Sequence, residues 1–395
     1  MKENKTWSSH ILLCPALQFH WPIRQLDISN AFLHGVLEEE VYMAQPQGFI
    51  NSQFPHHVCK LKKALYGLKQ APRAWYSTFF SFLISQGFHN SHSNSLLFIK
   101  KSQSCITVLL IYVDDILLTG SDSSIIANLV HNMHEVFSMK ELGPVSYFLG
   151  VFVQHHASGF FLSQHKYASD LLVKAGMVNC KPCVTYVALK PSFSPGDTLS
   201  FTQLELYRSV VGALLYLTIT RPDLSFAVNQ ACQHIHSPTV AHFAVVKKIL
   251  KYVKGTLAHG LTFNPGPFTL HAYTDSNWSA KKQPTVSRSS TEAEYRSMVN
   301  TAAELCWLQQ LLADLSISLS SVPLLWCDNI STMSLASNPI FHSRSKHIEI
   351  DCHFIRERVA FMKIDLRYIP TTDQLTGLFT KALTSSRFHY LTNKL

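Results

Sequence analysis

At 395 residues the chain is too long for one hydrophobic core, and two or three domains are expected. With 47% hydrophobic and only 15% charged residues it is a folded protein, which excludes a disordered chain. A net charge of +9 and a pI near 9.0 favour a polyanionic partner, and the excess is uneven: Lys+Arg minus Asp+Glu is +1 over residues 1–155, +6 over 156–268 and +2 over 269–395. In chain order, Met1-Lys-Glu-Asn-Lys5 has no signal-peptide core behind it and no apolar run reaches the length of a membrane span, so an intracellular protein with no membrane partner is expected. Gln25 to Leu33 alternates apolar and polar as far as Asp27, which predicts a strand ending at a carboxylate. Pro72 to Ile84 predicts an apolar, aromatic helix able to pack beneath a sheet. Thr107 to Thr119 reads as strand, turn, strand, with Gly120-Ser-Asp122 closing the second arm.

Further along, Ile125–Phe137 predicts an amphipathic helix and Tyr147–Val153 a strand with a glycine at a bulge. Residues 164–176 and 203–217 read as helices separated by the linker Pro191–Gly196. Val245–Lys254 is a helix with Lys247, Lys251 and Lys254 on one face. Domain changes are expected near 155 and, after Asn264-Pro-Gly-Pro267, near 268. The last segment opens on a strand ending at Asp275, continues through a capped helix from Ser289, and contains a second acid-ended strand, Leu324–Asp328.

The tip of the hairpin carries Tyr112-Val-Asp-Asp115 inside an apolar run. Two adjacent carboxylates there lose hydration that something must return, and a divalent cation is the natural compensation. Hard cations such as Mg²⁺ take oxygen ligands, commonly one or two carboxylates together with substrate phosphates. Asp27 supplies a second acidic strand end; because strand side chains alternate, one aspartate of the pair can bind the metal while its neighbour supports it, unless the turn bends both inward, and Asp114 is assigned to the metal and Asp115 to its support. Two unrelated acidic surface turns would give the same spacing. The nine cysteines have no paired framework, which suits a reducing compartment. Cys180-Lys-Pro-Cys183 lacks the second pair a zinc site needs, and Cys352-His353, near His342 and His347, reads as structural.

Asp27 with Phe32, the stretch Ala64-Leu-Tyr-Gly-Leu-Lys-Gln-Ala-Pro-Arg-Ala-Trp-Tyr76, and Tyr112-Val-Asp-Asp115 resemble, in that order, the polymerase of copia-type LTR retrotransposons. The resemblance runs from about residue 12 to the C-terminus. It implies an α+β fold: a reverse-transcriptase palm with partial fingers over 1–155, a basic thumb and connection region over 156–268, and a defective RNase H-like α/β domain over 269–395. It implies RNA-directed DNA polymerisation from dNTPs on an RNA template, with two Mg²⁺ (Mn²⁺ also serving) on Asp27 and Asp114 beside Asp115 as the catalytic acids. Phe32 would abut the sugar 2′ position, or equally be a core phenylalanine. Gln70 would contact the incoming nucleotide, and Lys69 and Arg73 its phosphates. Phe148-Leu-Gly150 resembles the turn that seats the primer end. Lys247, Lys251 and Lys254 would follow the backbone of an RNA/DNA hybrid, or form a solvated face. The family resemblance places such proteins in a cytoplasmic particle or the nucleus.

Over 269–395 the chain resembles the family's RNase H domain, which clamps two metals with four acids. Asp275, Glu294 and Asp328 match three, although Thr291 and Glu294 also have the spacing of a helix capping box. The fourth acid is Gly377 here, and about thirty residues, enough for two strands, are missing between Trp278 and Ser279. That deletion is expected to expose a sheet edge and impair folding. Only 26 residues precede Asp27, where the family has further fingers residues that grip the triphosphate, so impaired polymerisation is expected. Three readings follow: a polymerase, a ribonuclease H, or a non-catalytic remnant that at most binds nucleic acid.

Overall fold

A computed structural model describes residues 3–102, 104–185, 199–275, 287, 289–337 and 349–394. The expected linker at 191–196, the junction after Trp278, and His342 and His347 lie outside them. The chain is a mixture of helix and sheet in two compact units, Met1–Phe148 with Gln310–Ile317, and Leu149–Gln309 with Ser318–Leu395. No helix among the described residues is long and apolar enough to cross a membrane.

The first unit begins with α1 (Glu3–Gln18), β1 (Ile23–Ile28), the short α2 (Ala31–His34), and a two-stranded ribbon of β2 (Val36–Ala44) and β3 (Val58–Lys63). Then come α3 (Ala71–Ser85), β4 (His89–Asn90), β5 (Leu97–Lys101), β6 (Ile106–Tyr112), β7 (Asp115–Gly120), α4 (Ser123–Val136), β8 (Met139–Pro144) and β9 (Tyr147–Phe148). A six-stranded sheet in the order β4-β5-β6-β7-β1-β8 puts β1, β6 and β7 in its interior. The residues of β6 from Thr107 to Ile111 and of β7 from Ile116 to Gly120 are all buried, which is why these strands read as continuous apolar runs and not as alternation. Helix α3 buries Trp75, Phe79 and Leu83 at intervals of four, and α4 buries Ile126, Val130 and Met133; all six enter one core with the sheet. Asp122 starts α4 by accepting from the amides of Ser124 and Ile125. Gly35 lets α2 touch α3: a Cβ there would lie 2.7 Å from the Trp75 nitrogen and 2.9 Å from the Ala74 carbonyl carbon.

The strand expected over 147–153 is broken. Leu149 (φ 47°) and Gly150 (φ 73°) are both left-handed, so the chain turns there, and β10 (Val151–His156) starts afresh. The Tyr216 hydroxyl holds this turn by donating to the Leu149 carbonyl. In the second unit β11 (Gly159–Ser163) pairs with β10 and with β12 (Leu261–Phe263). Four helices, α5 (His165–Lys174), α6 (Leu204–Leu217), α7 (Ser225–Gln233) and α8 (Val240–Gly255), surround one apolar core. Beside it a buried ion pair of Arg221 and Asp223, 2.7 Å apart, also accepts the Tyr252 hydroxyl at 2.8 Å.

The last segment forms β13 (His271–Thr274), α9 (Ser290–Asp314), β14 (Leu324–Cys327), α10 (Ile330–Ser337), α11 (Glu349–Ala360), β15 (Asp365–Tyr368), α12 (Gly377–Thr380) and α13 (Ser385–Thr392). The strands make a parallel sheet, β13-β14-β15, covered by Tyr295 and Met298 of α9 and Ile355 of α11. Among the described residues β13 pairs with β14 alone. The boundary expected near 268 does not coincide with a separation into compact units, because Leu378 and Phe388 from α12 and α13 join the core of α5 to α8. The first division into compact units falls between Phe148 and Leu149, where the left-handed turn begins, seven residues before 155.

Candidate functional site

The antiparallel pairing of β1 with β7 sets Asp27 opposite Asp115, and that of β6 with β7 sets Tyr112 opposite Asp115. Only Val113 and Asp114 connect β6 to β7. The Asp114 carbonyl accepts from the Ile28 amide at 2.9 Å, tying the turn to the end of β1. Three carboxylates separated by up to 88 positions in sequence thereby meet at the ends of adjoining interior strands, each partly exposed. Burial, followed by the charges of Asp114 and Asp27, pushes the Asp115 carboxyl up to about 6. That crowding of negative charge is what a divalent cation relieves, so the residues fit Mg²⁺ in chemistry. Among the described residues no three His, Cys, Asp or Glu side chains form a ready-made cage. Two carboxylates completed by substrate oxygens is the coordination these residues can offer.

Phe32 sits in α2 just past β1, partly buried against the sheet core, with its ring centroid 4.8 Å from that of Tyr66. Gln70 precedes α3 without spending its side chain on a helix cap, and Lys69 and Arg73 are exposed beside it. Two participants were missed in the sequence. Tyr66 and Trp75 both belong to the thirteen-residue stretch, but nothing in its spacing says that one packs on Phe32 or that the Trp75 indole donates to the Val113 carbonyl at 2.7 Å.

On α8, Lys247 and Lys251 are exposed, Lys247 lying 5.1 Å from the Phe243 ring centroid. Lys254 is drawn out of that row. Its ammonium donates to the Val178 and Cys180 carbonyls at 2.5 and 2.6 Å, because it falls in the last turn of the helix against a neighbouring loop. Cys183 donates to the Thr185 and Lys248 carbonyls, and its thiol is free, as is that of Cys180.

Asp275 follows β13, Asp328 follows β14, and Glu294 lies in the first turns of α9. All three are near enough to act on Cys327, whose thiol is pushed up to about 12 chiefly by burial and further by these acids. The capping role belongs elsewhere: Ser289 accepts from the Glu292 amide at 3.1 Å, and Glu292 pairs with Arg296 at 2.7 Å, so Glu294 is not the capping acid. The Asp275 side chain is 1% exposed and is engaged by Lys381 at 2.8 Å and by the Thr380 hydroxyl at 2.8 Å. The Thr371 hydroxyl occupies Asp328 at 2.9 Å. Asp275 thus already has a cation and a hydroxyl as partners and Asp328 a hydroxyl, so these residues do not offer the unengaged carboxylates that a two-metal site needs.

Residues 5–189 match the model of the reverse transcriptase (RNA-dependent DNA polymerase) family. The chain is 43% identical to the retrovirus-related Pol polyprotein from transposon RE1 of Arabidopsis thaliana over 416 aligned positions, 99% of this chain and 28% of the relative. The chain belongs to the copia-type retrotransposon Pol family. The Pol polyprotein from transposon TNT 1-94 of Nicotiana tabacum is 35% identical over 418 positions, covering 97% of this chain and 31% of the relative. An uncharacterized mitochondrial protein of Arabidopsis thaliana, AtMg00810, is 48% identical over 50% of this chain and 93% of its own length. The chain thus spans under a third of the Pol polyproteins it matches. Because 416 aligned positions exceed 395 residues, at least about 20 positions of the RE1 relative have no counterpart here.

Proposed function

We propose that this chain carries the catalytic palm of an RNA-directed DNA polymerase, with Asp27 and Asp114 as metal ligands and Asp115 as the supporting acid. The observation that carries the reading is the register that sets Asp27 opposite Asp115 with Asp114 in the adjoining turn. Two Mg²⁺ ions, when bound, supply charge neutralisation for the triphosphate and activation of the primer 3′-hydroxyl. Asp27 and Asp114 hold oxygen ligands at fixed positions at the strand ends, and Asp115 keeps the site too negative to stay empty at neutral pH. Phe32, braced by Tyr66, stands against the sugar of a dNTP and discriminates against a 2′-hydroxyl. Gln70, Lys69 and Arg73 address the base and phosphates from the start of α3. Lys247 and Lys251 attract the backbone of an RNA/DNA hybrid.

The C-terminal segment is an RNase H-like remnant in this reading, and ribonuclease activity is not part of the function. The Lys381 ammonium on Asp275 and Gly377 in place of an acid support this. The test is extension of a primed RNA template by the full chain with Mg²⁺ and dNTPs. Incorporation that disappears in Asp114→Asn supports the polymerase. No incorporation, with salt-sensitive hybrid binding retained, favours instead a non-catalytic remnant that binds nucleic acid.

A further inference from the structure

The turn that carries Asp114 is strained. Val113 has φ 63°, a region that L residues avoid and that is a genuine outlier for a β-branched one. A two-residue hairpin connection often asks for positive φ at its first position, where glycine meets the demand without cost. Valine does not, and its side chain, 41% exposed, gains little burial in return. Such a conformation persists only where its surroundings over-determine it. Two bonds do so here: the Ile28 amide to the Asp114 carbonyl at 2.9 Å, and the Trp75 indole N–H to the Val113 carbonyl at 2.7 Å. The first is backbone and independent of residue type. The second depends on one side chain.

Trp75 is itself held firmly. It is 2% exposed, and its ring lies 5.1 Å from Phe79 and edge-on to Phe137 at 5.5 Å, with His34 at 6.0 Å. The Gly35 contact fixes the backbone of α3 at this same residue. A rigid helix thereby delivers a single donor to the strained peptide next to a metal ligand.

We infer that Trp75 is the positioning residue that keeps the Val113-Asp114 turn, and with it the Asp114 carboxylate, in the geometry that receives the metal; this rests on the palm reading above. Packing alone would be served as well by phenylalanine, which retains the aromatic body and lacks the N–H. Trp75→Phe is therefore expected to remain folded and to bind Mn²⁺ about fivefold to tenfold more weakly, the loss of roughly one hydrogen bond. Adding Val113→Gly relieves the strain that the bond opposes, so the double variant is expected to bind within about twofold of the original chain.

The experiment is Mn²⁺ titration of the full chain by electron paramagnetic resonance, with Asp114→Asn as reference, alongside indole N–H spectra of the ¹⁵N-tryptophan-labelled protein. Of six tryptophans, the resonance lost in Trp75→Phe is expected to exchange slowly with solvent and to broaden on Mn²⁺ addition in the original chain. Equal Mn²⁺ affinity in the original chain and Trp75→Phe overturns the inference while leaving the palm reading intact. An original chain that binds no Mn²⁺ overturns both. Weak binding in Trp75→Phe that Val113→Gly fails to restore returns Trp75 to a packing role. Should Trp75→Phe not fold, the indole proton decides, and rapid exchange or indifference to Mn²⁺ overturns the inference.

Discussion

Two regions of this chain present acids at the ends of strands, and they have opposite fates. In the first unit Asp27, Asp114 and Asp115 stay partly exposed and crowd one another, so the site is short of positive charge. Beyond β13 the Asp275 carboxylate is buried and already neutralised by Lys381, with Thr380 as a second donor. The same sequence feature, a carboxylate closing an apolar strand, thus gives a crowded, partly exposed acidic cluster in one region and an internal ion pair in the other. Whether an acid is available depends on what meets it in space, and a strand-end motif alone does not report that.

The largest expected effect is at the palm. Asp27→Asn or Asp114→Asn removes a proposed metal ligand and, on the polymerase reading, is expected to lower Mg²⁺-dependent primer extension by at least about a hundredfold, measured in single-turnover assays. Asp275→Asn is expected to leave extension within about twofold, and a loss comparable to Asp114→Asn would erase the distinction between the regions.

Next in size is the ion pair itself. Lys381→Ala leaves the Asp275 carboxylate buried without its cation and is expected to cost about 2 kcal/mol in urea unfolding. Adding Asp275→Asn should recover most of that loss. Independent, additive costs would show that the pair does not interact.

A smaller effect concerns pH. The Asp115 carboxyl titrates near 6, above its ordinary range, so its ionised form is penalised in the folded chain. The sign follows directly: stability falls as pH rises from about 4 through 6, and stays lowered above. In metal-free buffer Asp115→Asn should therefore raise stability at pH 7.5 by about 1 kcal/mol after allowance for solvent screening, with no gain at pH 4. Urea midpoints at the two pH values check this, and a gain at pH 4 equal to that at pH 7.5 would contradict the electrostatic origin.

The smallest effect carries the comparison over to cations. Lys247 and Lys251 are exposed, whereas Lys254 is bonded to two carbonyls. Neutralising the first two should reduce the salt dependence of hybrid binding by a slope of about 2, and Lys254→Ala should hardly change it. An equal change from Lys254→Ala would put it back in the binding row.

Much of the first compact unit was legible because its signals are local. An apolar run interrupted by two acids fixes a hairpin, and aromatic residues at helical spacing fix α3. What was illegible depended on partners distant in sequence or on single backbone angles. Leu149 and Gly150 both turn left-handed and break a run otherwise rich in aromatic and β-branched residues, where the sequence suggests no more than a bulge at the glycine. The cap of α9 shifted from Thr291 to Ser289 because both have an acid three positions on, and the sequence does not choose between them. Lys254 and Lys251 look alike on a helical wheel, and only the loop carrying Val178 and Cys180 separates them. The 2.7 Å bond from Trp75 to Val113 joins positions 38 apart, with nothing in either segment to announce it.

The most direct measurement is Mn²⁺ binding by the full chain, followed by electron paramagnetic resonance, in the original sequence, Asp114→Asn and Asp275→Asn. Binding weakened at least about tenfold in Asp114→Asn and unchanged in Asp275→Asn is the expected result. Binding that survives in Asp114→Asn, or is lost in Asp275→Asn, would contradict the assignment of the metal to the palm.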